Sequence, residues 1–127
     1  MKINLYNPSQ PQKDFLKVVH SQKPFITLIV AGRQTGKTFM MMNDAVMRGL
    51  NTPKTRMFWV SPIQDQANKV MKDVEAAFIN HQDTFQQIVK RFDRKNNEMY
   101  FHNGSFVKFR SADSGDNLRG ATLDFIY

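Results

Sequence analysis

Read by its apolar and polar positions, the chain first shows a clear period between residues 9 and 24. Phe15, Leu16, Val18 and Val19 share one face, which predicts a helix. Ser9 is placed as its N-cap, Gln12 three residues later completes a capping box, and Pro11 is tolerated in the first turn. Pro24 closes the segment. Phe25-Ile26-Thr27-Leu28-Ile29-Val30 follows, a β-rich run of strand length. Residues 39–47 favour a helix that runs to about Gly49, a natural C-terminal stop. Residues 56–60 read as a second buried strand, closed by Ser61-Pro62. Ala67, Val70, Met71, Val74, Ala77, Phe78 and His81 then recur at intervals of three and four, an amphipathic helix.

The second half alternates differently. Within residues 82–97, Phe85, Ile88, Val89 and Phe92 suggest a short helix leading to a basic turn over 90–95, whose charges read as a solvated face. The β-rich runs 98–102 and 105–110 flank Asn103-Gly104, the signature of a two-residue type I′ hairpin. That register would pair Phe101 with Phe106 and Tyr100 with Val107. These aromatics beside Lys108 and Arg110 suit either a sheet core or a platform for single-stranded nucleic acid, and core is the simpler reading. After a polar loop over 111–117 come Leu118-Arg119-Gly120 and a run over 123–127 that opens another buried strand.

Chemistry concentrates between the first strand and the second helix, in Ala31-Gly32-Arg33-Gln34-Thr35-Gly36-Lys37-Thr38. Strand, glycine-bearing turn, Gly-Lys-Thr and helix is the order of a phosphate-binding P-loop, in a relaxed form with Ala31 at the first position. Gly36 lets successive N–H groups converge, the helix behind it presents unpaired donors, Lys37 adds charge near the β/γ-phosphates, and the Thr38 hydroxyl can ligate Mg²⁺. The amide of Gln12 can donate and accept at once, so it suits adenine recognition as well as capping.

At 127 residues the chain makes at most one ordinary domain, and 41% apolar content supplies a sizeable core. No apolar run reaches the length of a membrane span, and the N-terminus shows no secretory signal pattern. Absence of Cys excludes a disulfide framework and thiolate metal sites, as expected of an intracellular protein. His20, His81 and His102 are not spaced to form a metal site. A net charge of +7 suits a polyanionic partner.

Together these pieces resemble the N-terminal part of the ATPase domain of the large terminase subunit of tailed bacteriophages, the motors that drive DNA into the procapsid. The likeness rests on residues 30–38, on Phe58-Trp59-Val60-Ser61-Pro62 with the residues to Ala67, on Asn103-Gly104-Ser105, and most specifically on Phe109-Arg110-Ser111-Ala112-Asp113 running into Leu118-Arg119-Gly120. It implies an α/β P-loop NTPase of the RecA/ASCE type, a parallel-sheet core with an inserted β-hairpin, incomplete here. Residues 1–127 would form the N-terminal part of the ATPase domain, with the nuclease domain absent. It implies ATP and Mg²⁺ as cofactors. The implied partners are double-stranded DNA, the portal protein and the small terminase subunit, with a homo-oligomeric ring at full length, in the host cytoplasm and away from membranes.

By the same resemblance Lys37 and Thr38 hold triphosphate and Mg²⁺, and Arg33 is a further phosphate contact. Gln12 is the adenine-reading glutamine, with Gln10 as the other candidate. Arg119 matches an arginine that reaches a neighbouring subunit's nucleotide; read without the resemblance, it is a surface arginine or a partner of Asp116. In the family a strand like 123–127 leads into the Walker B Asp-Glu pair, which this sequence does not reach. Asp113, Asp116 and Asp124 are not substitutes, so the 127 residues alone are expected to bind nucleotide without turnover. A helicase-like translocase and a non-catalytic nucleotide- or DNA-binding adaptor stand as alternatives.

Overall fold

The computed structural model describes residues 9–22, 26–30, 36–79, 82–113 and 118–127. Its elements in chain order are α1 (Gln10–Gln22), α2 (Lys37–Asn51), β1 (Arg56–Ser61), α3 (Gln64–Ile79), α4 (Gln82–Ile88), β2 (Val89–Asp93), β3 (Glu98–Phe101), β4 (Phe106–Ser111) and β5 (Phe125–Ile126). The strands form one sheet in the order β2-β3-β4-β1-β5. β4, β1 and β5 run parallel, while β2-β3-β4 is an antiparallel meander attached to their edge. The fold is thus α/β with a mixed sheet.

Period-two burial on β4 sends Val107, Phe109 and Ser111 to one face. There they join Met57 and Trp59 of β1 and Met99 and Phe101 of β3. α2 contributes Met42, Ala45 and Val46 to the same core, and α3 contributes Met71 and Val74, as the three-and-four spacing of those helices requires. α2 lies very close to the sheet. A Cβ built on Gly49 would sit 2.0 Å from Cε2 of Phe101. On the opposite face Tyr100 and Phe106 stay half-buried, 6.1 Å apart, with Arg91 over the first ring and Lys108 over the second. The aromatic hairpin is therefore divided, with Phe101 and Phe109 in the core and Tyr100 and Phe106 outside it.

Three expectations are corrected. Residues 26–30 belong to no strand among the described residues, and Ile26, Leu28 and Val30 are 80%, 84% and 88% exposed. β-branched content supplies propensity, but a strand needs an edge to bond, and no described strand pairs with this segment. The expected basic turn over 90–95 is mostly β2, an edge strand with a bulge between Val89 and Arg91, and the turn itself occupies 94–97. The hairpin pairs Tyr100 with Phe106 and Met99 with Val107, one residue away from the expected register. Its loop holds three residues, His102-Asn103-Gly104, closed by Phe101 N–H donating to the Ser105 carbonyl at 2.8 Å, with Gly104 at φ 87°. That is the type I turn with a glycine bulge. The cause is tertiary. Asn103 Nδ2 donates to the Gly49 carbonyl at 2.6 Å, and the Ser105 hydroxyl lies 2.9 Å from the same carbonyl.

Candidate nucleotide-binding site

The candidate site is the start of α2. Gly36 has φ 81° and ψ 19°, the left-handed region that glycine enters without a Cβ penalty. It has no side chain to cap the fifteen-residue helix behind it. The first turn of a helix presents N–H groups that no carbonyl within the helix can accept, and the helix dipole adds positive potential at the same end. Lys37, the first helical residue, is half-buried, and Thr38 is exposed. A helix N-terminus, an ammonium group and an exposed hydroxyl fit a polyphosphate with a divalent cation. Ala31, Gly32, Arg33, Gln34 and Thr35 lie outside the described residues.

Gln12 is brought to this helix start across 24 residues of sequence. Its Oε1 accepts the Ser9 N–H at 2.8 Å, the glutamine's half of the expected capping box, while its Nε2 donates to the Gly36 carbonyl at 3.1 Å. A Cβ on Gly36 would meet that Nε2 at 2.4 Å, a contact the end of the Gln12 side chain can relieve, whereas the left-handed φ favours glycine at the position. Gln10 instead donates to Asp14 on the exposed side of α1 at 2.8 Å. The sequence pattern named both glutamines, and only Gln12 has a described bond to the helix start.

A polar cluster went unforeseen. Asp44, 7% exposed on the core side of α2, binds Arg48 Nε at 2.8 Å through Oδ2, and the same oxygen accepts the Tyr127 hydroxyl at 2.5 Å. His20 Nε2 of α1 approaches Oδ1 at 2.6 Å, outside hydrogen-bond geometry. Burial, and then the Asp44 charge, push the Tyr127 phenol well above its ordinary range. The available signal was a carboxylate within the apolar stripe of a helix, which demands a partner.

Arg119 sits exposed on the turn over 118–120 that follows β4. Asp113 accepts the Ser111 hydroxyl. Asp124 accepts the backbone N–H of Arg56 at 2.9 Å and its Nε at 3.2 Å. The Arg56 bonds hold the Asp124 carboxyl below its usual range. Asp124 thus fastens the start of β5 to β1. Asp116 and His81 lie outside the described residues. No helix among the described residues is long and apolar enough to cross a membrane.

A left-handed glycine at the helix N-cap and Gly-Lys-Thr beside a mixed α/β sheet define the P-loop class. Comparison narrows the class. The family model described as "Terminase large subunit, T4likevirus-type, N-terminal" matches residues 28–127, and the chain belongs to that family. It is 33% identical over 109 residues to the large terminase subunit of Thermus phage G20c, covering 75% of this chain and 22% of the relative. Its structure matches the large terminase ATPase domain of Thermus phage P74-26 with a TM-score of 0.74 and 26% identity, over 95% of this chain and 52% of that one. An arginine-to-alanine mutant of the same domain matches in fold with a TM-score of 0.72 at 23% identity. The chain thus spans about half of the solved relative and about a fifth of the curated one.

Proposed function

We propose that this chain carries the ATP-binding part of a viral DNA-packaging motor, which couples ATP hydrolysis to the movement of double-stranded DNA into a procapsid. The observation that supports this most directly is the start of α2, where Gly36 turns left-handed at the N-cap without a side chain of its own to cap the helix, and Lys37 and Thr38 follow, in a member of the terminase family. In this reading the first-turn N–H groups and Lys37 bind the β- and γ-phosphates, and Thr38 holds Mg²⁺. Residues 31–35 complete the loop, with Arg33 as a further phosphate contact. Bound Mg²⁺–ATP supplies the phosphoanhydride whose cleavage powers transport. Arg119 would act on the nucleotide of a neighbouring subunit in a homo-oligomeric ring. The portal protein and small terminase subunit are the proposed partners, in the cytoplasm of a bacterial host. Residues 1–127 are the N-terminal part of the ATPase domain in this proposal.

One mixing experiment on the full-length family protein tests the site and its arginine together. Lys37→Ala should weaken ATP binding roughly tenfold or more and abolish turnover, because charge-assisted contacts contribute about 1.5–3 kcal/mol each. Arg119→Ala should bind ATP like wild type yet turn over about 10³–10⁵ times more slowly. Mixed assemblies of the two variants should recover part of the activity, since some sites then combine an intact loop with an intact arginine. Equal ATP affinity in wild type and Lys37→Ala overturns the nucleotide site. Absence of recovery in verified mixed rings returns Arg119 to a structural role.

A further inference from the structure

We infer that His20 and Asp44 form a proton-operated latch, which seats α1 against α2 while the imidazole is charged and releases it when the imidazole is neutral. α1 is held only loosely by burial. None of its residues is buried, and Phe15, Leu16 and Val19 are half-covered. Its apolar face spans a groove of about 610 Å³ whose other walls include Met41 and Arg48 of α2 and Phe125 of β5. Little apolar area leaves water there, so polar contacts carry a large share of the seating. One contact runs from Gln12 to the Gly36 carbonyl, near the start of α1. Another stands near its far end, where His20 Nε2 lies 2.6 Å from Asp44 Oδ1.

The two oxygens of Asp44 have different partners. Oδ2 takes Arg48 and the Tyr127 hydroxyl, whereas Oδ1 accepts no hydrogen bond among the described residues. The imidazole, whose side chain is 49% exposed, meets Oδ1 outside hydrogen-bond geometry. Their attraction therefore depends on charge, and a neutral ring supplies little of it. Imidazoles exchange their proton between about pH 5 and 8. A contact made by the charged form is complete at the acid end of that range and fades as pH rises through it. The other groups on the groove do not cancel this. Arg48 opposes a second positive charge but is paired with Oδ2. Asp124 favours one, although it is bonded to Arg56. The raised Tyr127 phenol keeps its proton throughout. On α1 itself, Lys17 lies one turn away and is exposed. When the imidazole loses its proton, Arg48 stays on Asp44, so the buried carboxylate keeps a counter-ion and the core holds. Only α1 opens, and a thirteen-residue helix is marginal once detached. Gln12 moves with it, away from the start of α2. That last consequence for nucleotide rests on the phosphate-binding reading given above.

Amide exchange of α1 in the 127-residue chain reads the latch without any ligand. Rates are expressed as protection relative to an unstructured chain, which cancels the intrinsic effect of pH. Protection over α1 should fall about three- to tenfold between about pH 5.5 and 8.5, while α3 holds. His20→Gln, uncharged at every pH, should show the low value throughout. His20→Lys, an unbranched cation over this range, should show the high value throughout. A wild type that does not change with pH overturns the latch. So does a His20→Lys that is as unprotected as His20→Gln, since the ring and not its charge would then hold α1. A loss shared by α3 overturns it as well, by placing the event in the whole fold. ATP affinity over the same range, divided by that of His20→Lys to remove the titration of ATP itself, should fall by the same factor. A constant ratio overturns control of the nucleotide site by the latch. Equal ATP binding by wild type and Lys37→Ala would instead overturn the nucleotide site, and the exchange of α1 then decides the latch alone.

Discussion

A missing side chain at Gly49 decides how closely α2 can approach the sheet. The Cβ that alanine would add meets Phe101 at 2.0 and 2.6 Å and Met57 at 3.0 Å, and both neighbours are fully buried. A phenyl ring in a packed core cannot swing aside as the tip of a surface chain can. Gly49→Ala should therefore destabilise the fold by roughly 1–3 kcal/mol, the range for an overpacked core, although alanine favours helix in a neutral context. Urea unfolding of the two proteins checks this, and an unchanged midpoint would show that the contact relaxes freely. In the sequence Gly49 read only as a helix stop. The stop is close to where α2 ends, but the packing reason was invisible because Phe101 lies 52 positions further on. The Lys37, Thr38 and Gln12 positions were legible, since the first two belong to a contiguous motif and the third to a local cap. Asp44 was not, because its partners come from α1, α2 and the residue after β5.

At the scale of elements, the amphipathic helices and β1 follow from their spacing, while the sheet edges do not. Strand propensity over 26–30 and hairpin propensity around Asn103-Gly104 were both present, and in each case long-range bonding decided the outcome. Ser105 is the clearest instance. Fully buried, it accepts the Thr55 N–H at 3.0 Å, and its hydroxyl lies 2.9 Å from each of the Gly49 and Thr52 carbonyls. One serine thus ends α2, admits β1 and fixes the start of β4. Ser105→Ala takes from the buried Thr55 N–H its described acceptor, while the Gly49 and Thr52 carbonyls keep Asn103 Nδ2 and the Thr55 hydroxyl, and the expected cost is roughly 1–3 kcal/mol. Hydrogen exchange should show the opening concentrated at residues 49–55 and 101–106. Protection lost evenly through the sheet would mean that the hydroxyl has no special place in joining these elements.

For the molecule as a whole, the two ends of the pH scale strain different places. Burial tends to raise the Glu98 carboxyl, but bonds from Tyr100 and Arg110 and the charge of Lys108 outweigh it, and the net shift is downward. A carboxyl depressed in the folded state contributes stability above its unfolded value of about 4.5, and the contribution fades as pH falls through the folded value. Tyr127 behaves in the opposite sense. Burial and Asp44 raise its phenol above the ordinary 10.0, so its contribution is complete below that pH and fades as pH rises through the folded value. Thermal unfolding should thus lose ground below about pH 4.5 and above about pH 10. Tyr127→Phe should flatten the alkaline limb, leaving the smaller share of Tyr100, which burial and Glu98 also raise. An alkaline limb of undiminished slope in Tyr127→Phe would place the loss elsewhere.

The Asp44 cluster also governs how this sequence can drift. Asparagine at 44 would spare the shape and strand Arg48 without its counter-ion. Loss of the Tyr127 hydroxyl would leave Oδ2 with Arg48 as its sole described partner, and a bulky replacement at His20 would press on a carboxylate that is 7% exposed. The first two of these steps leave Arg48 or Asp44 short of a partner, and removal of one partner from a buried charged set is costlier than exchange of the whole set. Positions 44, 48 and 127 are therefore energetically coupled across a long stretch of the chain. A chain that leaves that arrangement at low cost changes several of its members together.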